Sequence, residues 1–234
     1  MDSIEGSGLD PRYNFKRLRQ GRRSGILCHI SSLPSLYGIG SLGEEALAFI
    51  DFLTLAGQSS WQILPLGLTG FGDSPYQSFS TKAGNPYLID LDLLVRDGLL
   101  EAQAPLAFDF GQDPEKVDFG LLWDNRRLLL RQAWETFKAK APDTLKHDYS
   151  VFTLKEGADW LQDFALFMTL KSVHGGAPWR DWPDAYKRRD PLALLAFEQD
   201  HEDDLAFETF MQFLFFRQWE GVRARSEERR VGKE

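Results

Sequence analysis

Gly70-Phe71-Gly72-Asp73-Ser74-Pro75-Tyr76-Gln77-Ser78-Phe79-Ser80 follows a short apolar run, Trp61-Gln62-Ile63-Leu64-Pro65-Leu66. It precedes a second marker, Ala83-Gly84-Asn85-Pro86-Tyr87-Leu88-Ile89-Asp90. An apolar strand that runs into a glycine-rich, aromatic, hydroxyl-bearing loop is the pattern of a sheet presenting a substrate site at its strand ends. Pro75 holds Ser74 to extended conformations and stiffens the approach to Tyr76. An aromatic ring on such a loop can stack on the apolar face of a pyranose, and Asp73, Ser74, Gln77 and Asn85 can hydrogen-bond sugar hydroxyls. The alternative reading is that Tyr76 and Phe79 pack the mouth of the sheet while Asp73 and Ser74 make turns.

Upstream, Gly25-Ile26-Leu27-Cys28-His29-Ile30 reads as a buried strand, followed by the Ser/Gly/Pro-rich loop 31–41. A helix is expected from about Gly43 to Ala56, with Ala46, Phe49, Ile50 and Leu53 at i, i+3, i+4 and i+7. Ser41 with Glu44 three residues on reads as a capping box, Glu44 and Glu45 suit the positive end of the helix dipole, and Gly57 suits a left-handed stop. Strand, helix and strand make a βαβ unit with a parallel sheet, so both long loops lie on one side. In a β/α barrel that side carries the substrate site. A doubly wound sheet is the alternative. Neither loop has the Gly-x-Gly-x-x-Gly spacing of a dinucleotide site, and Gly67–Gly72 is followed by no Lys-Ser/Thr, which argues against nucleotide binding.

The chain has 234 residues, 43% hydrophobic and 13% aromatic, enough for a sizeable core in one or two domains. A net charge of −8 argues against general affinity for nucleic acid or an anionic membrane and suits a neutral substrate. Cys28 is the single cysteine, so there is no disulfide framework and no cysteine metal site. His29, His147, His174 and His201 have no metal-ligand spacing, and nothing supports a Ser-His-Asp triad at His29. No metal and no cofactor is expected. No apolar run approaches the roughly 20 residues of a membrane span. Met1–Glu5 lacks a signal-peptide pattern, and a cytoplasmic location is expected.

Residues 1–24 read as a polar leader in which Arg12, Lys16, Arg17, Arg19, Arg22 and Arg23 are a solvated basic patch. Residues 25–96 read as the start of the barrel. Residues 97–203 read as an α-helical insertion, with helices expected at Leu121–Lys140 and Gly157–His174, and 204–224 as a helix leading back to the barrel. Trp179-Arg180-Asp181-Trp182-Pro183 reads chiefly as an aromatic anchor of an irregular segment, with a sugar platform as the alternative. Glu202-Asp203-Asp204 reads as a dipole-favoured helix start. Arg225–Glu234 breaks from the preceding helix and resembles the translation of a sequencing-adapter sequence; residues 225–234 are therefore set apart as non-native.

The motifs Ser32-Leu33-Pro34, Tyr37-Gly38-Ile39-Gly40, Gly72-Asp73-Ser74-Pro75-Tyr76-Gln77-Ser78 and Gly84-Asn85-Pro86-Tyr87-Leu88-Ile89-Asp90 closely resemble the start of 4-α-glucanotransferases (amylomaltase, or disproportionating enzyme; glycoside hydrolase family 77). The resemblance implies a (β/α)8 TIM barrel, of which only the first strands are present, carrying inserted helices. It implies a retaining transfer of an α-1,4-glucan segment to the 4-hydroxyl of another maltodextrin or of a glucose acceptor, by two carboxyl groups roughly 5 Å apart. It also implies that Tyr76 stacks near the sugar whose bond is broken, with Ser74 close by. Phe71 stands where the family commonly has Tyr, which keeps stacking and loses a hydroxyl contact. Ile30 stands where many members have proline. The family's nucleophilic Asp, acid/base Glu and stabilising Asp lie on later strands, and their motifs do not occur in 1–224. The chain is therefore expected to cover roughly the first two-fifths of such an enzyme and to be inactive alone. The alternatives are an α-glucan hydrolase on a related barrel, a non-catalytic glucan-binding fragment, and an interaction scaffold.

Overall fold

The computed structural model describes residues 23–70, 73–111, 113 and 115–231. Two short strands, β1 (Gly25–Leu27) and β2 (Ser60–Gln62), pair in parallel in the register Gly25↔Ser60, Ile26↔Trp61, Leu27↔Gln62. The crossover is helix α1 (Glu44–Leu55). This is the βαβ unit the alternation of apolar runs and helical spacing required.

The reading of 25–30 and 61–66 as buried strands is corrected. β1 stops at Leu27, which is 61% exposed, and Ile30–Ser32 forms a 3-10 turn. No described element covers both faces of the pair, so its apolar residues do not reach the burial of a complete parallel sheet. Trp61 is partly covered: its ring meets Phe49 at 5.0 Å, and its Nε1 donates to the Cys28 carbonyl at 2.7 Å.

The capping box at Ser41 is likewise corrected. Gly43 is the N-cap of α1 and gives no side-chain bond, while Ser41 Oγ donates to Asp90 Oδ2 at 2.6 Å. Asp90 competes for that hydroxyl because it is itself the N-cap of α2 (Leu91–Arg96), accepting from Leu93 N at 2.8 Å. The expected stop of α1 is present: Gly57 has φ +70°, Gly57 N donates to Thr54 O and Gln58 N to Leu53 O. That pair of bonds is the Schellman motif.

The remainder is helical. α3 (Phe119–Lys140) starts at Asp118, whose carboxylate accepts from Leu121 N, and ends before Ala141-Pro142. α4 (Asp143–Glu156) then runs through a π-turn, Gly157–Leu161, into α5 (Gln162–Val173). α6 (Asp184–Lys187) and α7 (Pro191–Asp200) lead to α8 (Glu202–Val231). α4 and α7 were not read from the sequence. α7 carries its own signal, since Asp190 caps Leu192 N and Ala193 N and Pro191 sits at the first helical position. α8 continues through Arg225, which pairs with Asp51 at 2.8 Å, so the described part of 225–234 extends the helix. Of the expected leader, 1–24, residues 1–22 lie outside the described residues; of its basic residues, Arg23 alone is described, and it is exposed.

The main core forms where α8 meets α1, α3 and the segment 84–100. Phe207, Phe210, Met211, Leu214 and Phe215 face Leu122, Leu129, Ala133, Trp134 and Phe137. Phe137 and Phe210 rings stand 4.9 Å apart and Trp134 and Phe210 5.1 Å apart. Each such side chain, fully buried, contributes about 1.5–3 kcal/mol. Glu202, Asp203 and Asp204 sit in the first turn of α8 as expected, and Arg131 and Lys138 add ion pairs to Asp203 and Asp204. Among the described residues no helix is long and apolar enough to cross a membrane, and no group of three His, Cys, Asp or Glu could hold a metal ion.

Candidate functional site

The loop after β2 is pinned at its base and free at its tip. At the base, Gly67 and Gly84 form an antiparallel bridge, and Asn85 N donates to Leu66 O at 2.8 Å. Leu68 and Ala83 are buried against Phe164 of α5. Helix α8 then grips the segment twice. Gln212 Oε1 accepts from Gly84 N at 2.8 Å while its Nε2 donates to Gly84 O at 3.0 Å. Gln218 does the same to Asp90, at 2.7 and 3.1 Å. Glycine is required at 84, because a Cβ there would stand 2.0 Å from the Phe215 ring. Lys82 Nζ pairs with Asp159, which the π-turn presents.

At the tip, Asp73 N donates to Gly70 O, Gln77 N to Ser74 O at 3.2 Å, and Tyr76 N to Ser74 Oγ at 3.3 Å. Asp73 adopts φ +54°, a left-handed conformation that Asp tolerates better than most residues. These bonds leave the Tyr76 ring 72% exposed. Phe79 turns the other way, 6.2 Å from the Phe167 ring, with Lys171 Nζ 5.0 Å from its centroid.

Beside the loop lies a cleft of about 440 Å³. Phe79, Asn85 and Tyr87 line it from the loop side; Trp123 and Arg127 of α3 and Lys171 of α5 line it from the helices. Of the residues the sequence singled out, Asn85 lines this cleft. It is buried, and its Oδ1 caps the 3-10 turn Pro86–Leu88 by accepting from Tyr87 N at 3.0 Å. Tyr76, Ser74, Asp73 and Gln77 stand together on the neighbouring tip, and Phe71 lies outside the described residues. The aromatic reading of Phe79 as packing is partly met, since its ring lies tilted against Phe167 yet remains 42% exposed.

Buried charge shapes the cleft floor. Arg127 Nη2 lies 2.5 Å from Glu208 Oε1. Burial pushes the Glu208 carboxyl up, and Arg127 pulls it back. Arg126 is fully buried and donates to the Ile89 carbonyl; burial lowers its guanidinium to about 10, so it stays charged at neutral pH. Burial, with the nearby Asp73 carboxylate, pushes the Tyr87 hydroxyl up to about 12, which makes it a neutral hydrogen-bonding group. At β1, His29 Nδ1 accepts from Leu64 N at 3.2 Å, and burial lowers its pKa, so the ring is neutral and structural. Gln212, Gln218, Trp123, Arg127 and Lys171 were not picked out from the sequence. The glutamines had a signal: each is a polar residue inside the apolar stripe of α8.

The cleft is rimmed by Phe79, Tyr87 and Trp123, and its polar lining includes the Asn85 amide, three cations, Arg126, Arg127 and Lys171, and the Glu208 carboxylate. The profile described as 4-alpha-glucanotransferase, glycoside hydrolase family 77, matches residues 28–232, and the chain belongs to that family. It is 46% identical over 206 residues to the 4-alpha-glucanotransferase of Thermus thermophilus, covering 88% of this chain and 40% of that protein. It is 45% identical over 204 residues to the enzyme of the same name from Streptococcus pneumoniae, covering 87% and 40%. Among solved structures, the amylomaltase from Streptococcus agalactiae in complex with acarbose superposes with a TM-score of 0.85 at 40% identity, over 89% of this chain and 42% of that one. The chain thus spans about two-fifths of the length of the relatives it matches.

Proposed function

We propose that the whole protein is a 4-α-glucanotransferase that moves an α-1,4-glucan segment from one maltodextrin to the 4-hydroxyl of another, or of glucose, with retention. The observation that carries this reading is an exposed Tyr76 ring on a loop whose base is clamped by Gln212, in a chain of the glucanotransferase family. A rigid stacking surface beside a cleft favours a sugar acceptor over water, which separates transfer from hydrolysis. The acarbose complex of the Streptococcus agalactiae amylomaltase supports a glucan-like ligand here.

In this reading the pair β1–β2 begins a (β/α)8 barrel, residues 97–203 are a helical insertion, and 204–224 lead back to the barrel. Tyr76 stacks on the sugar at the cleaved bond. Ser74, Asp73, Gln77 and Asn85 bond its hydroxyls, and Phe71 adds a second ring. The nucleophile and acid/base belong to the part of the relatives that this chain does not span. The segment 225–234 is non-native in the same proposal, and sequencing the gene across Ala224 decides it.

The test is product length. The enzyme read from the uninterrupted gene, given maltotriose, is expected to yield glucose together with longer maltodextrins. Reducing ends without elongation would make it a hydrolase instead. If the 234-residue chain alone disproportionates maltotriose, the assignment of the carboxylates elsewhere is wrong.

A further inference from the structure

Helix α5 has a concavity on each side. Met168, Lys171 and Ser172 border the cleft described above, while Asp163, Phe167 and Leu170 border a separate pocket of about 160 Å³. Its far wall is Trp179 and Trp182, with Tyr186 and Lys187 at the end of α6. The two tryptophans of this segment divide their roles. Trp182 is buried, donates from Nε1 to Ala177 O at 3.1 Å, and packs its ring 5.5 Å from Phe167 and 5.6 Å from His174. That is the anchor the sequence suggested. Trp179 is 59% exposed and lines the pocket with its ring.

Each cation that lines the pocket holds a carboxylate. Arg189 Nη2 lies 2.5 Å from Asp163 Oδ1, and Lys187 Nζ 2.8 Å from Asp184 Oδ1. Arg189 holds φ +53°. Among the described residues it shares a left-handed non-glycine backbone with Asp73 alone, at the substrate loop. That conformation ends α6: Arg189 N donates to Tyr186 O and Asp190 N to Ala185 O, the same pair of bonds that stops α1. Cations already paired leave little for a free anion. An open indole face beside a carboxylate that accepts and a guanidinium that donates matches one ring of a neutral sugar, whose C–H face is apolar and whose edge carries hydroxyls.

We propose that this pocket is an auxiliary α-glucan site, taking one glucosyl residue on Trp179 with its hydroxyls on Asp163 and Arg189. The identity of the sugar rests on the function proposed above. A helix is about 10–12 Å across, so one maltodextrin can lie over α5 and occupy pocket and cleft together. Tethering by one site raises the effective concentration at the other.

Migration of the 234-residue chain through native gels containing amylopectin tests this, with maltoheptaose titration to obtain affinities. Trp179→Ala is expected to lose about tenfold in affinity with its melting temperature unchanged, a difference equal to about 1.4 kcal/mol. Trp179→Phe is expected to lose less, and Tyr76→Ala to keep the Trp179-dependent part. Should Trp179→Ala lower the melting temperature, Arg189→Gly carries the test: it relieves the backbone and removes the donor, so binding should weaken without loss of stability. Retardation of Trp179→Ala equal to that of the unmutated chain overturns the proposal. So does an unmutated chain that is not retarded at all. Loss of retardation in Tyr76→Ala alone overturns this site while leaving the transferase reading intact, which the maltotriose products decide separately.

Discussion

Replacing Gln212 by leucine tests how the loop after β2 is held. The side chain is 1% exposed, and it satisfies both the N–H and the C=O of Gly84. Leucine has a similar volume and leaves both groups buried without partners. Each such group costs about 1–3 kcal/mol, and the added apolar burial returns roughly 1 kcal/mol. The net loss is therefore about 3 kcal/mol. With a urea dependence of roughly 3 kcal/mol per molar for a chain of this size, the unfolding midpoint should fall by about 1 M. Circular dichroism in urea measures the midpoint, and hydrogen exchange at the Gly84 amide gives the local view, with protection expected to collapse there first. Gln218→Leu, at the parallel clamp on Asp90, is expected to cost a similar amount. A midpoint shift below about 0.2 M in Gln212→Leu would refute the reasoning, because the two bonds would then be replaceable by water.

Three further outcomes are expected. Tyr76→Ala should change stability by less than about 0.5 kcal/mol, since its ring is mostly in solvent, yet weaken maltodextrin binding; a large drop in melting temperature would show that the ring is a packing group. Gly43→Ala should destabilise by about 2–4 kcal/mol, because a Cβ there would lie 2.0 Å from Asp90 Oδ2 and displace the carboxylate that caps α2; an unchanged urea midpoint would count against that contact. Burial lowers the pKa of His29, so the folded state takes up its proton less readily than the unfolded chain does. Its contribution to stability is present above about pH 6.5 and is lost as the pH falls through the lowered value. Urea midpoints between pH 7.5 and 5 should show this fall in the parent chain and less of it in His29→Gln.

Local signals in the sequence located α1, α3, α5 and α8, and left α2, α4, α6 and α7 unread. Ala46, Phe49, Ile50 and Leu53 at helical spacing located α1, and Gly57 marked its end, because both features depend on residues a turn apart. α4 was missed because its amphipathic stripe is weak and only Leu145 of it is buried. The strands were read too long because an apolar run does not say where its pairing partner stops. The same limit applied to Ser41, whose hydroxyl turned from α1 to Asp90, 49 residues away.

The candidate site divides along the same line. The glycine and proline order of 70–80 determined a loop with a restricted approach to Tyr76, since φ/ψ limits and the X-Pro restriction act between neighbours, and the structure decided that the ring is exposed. Trp179 and Trp182 looked alike in sequence, and only packing sent one into the core and left the other at a pocket. Composition and motif thus determined the family and the loop. Tertiary structure alone decided that Gln212 and Gln218 anchor the loop, that α3 and α5 supply the other cleft wall, and that α5 separates two concavities. The two glutamine clamps join residues 128 positions apart, and such distances close only when the helices pack.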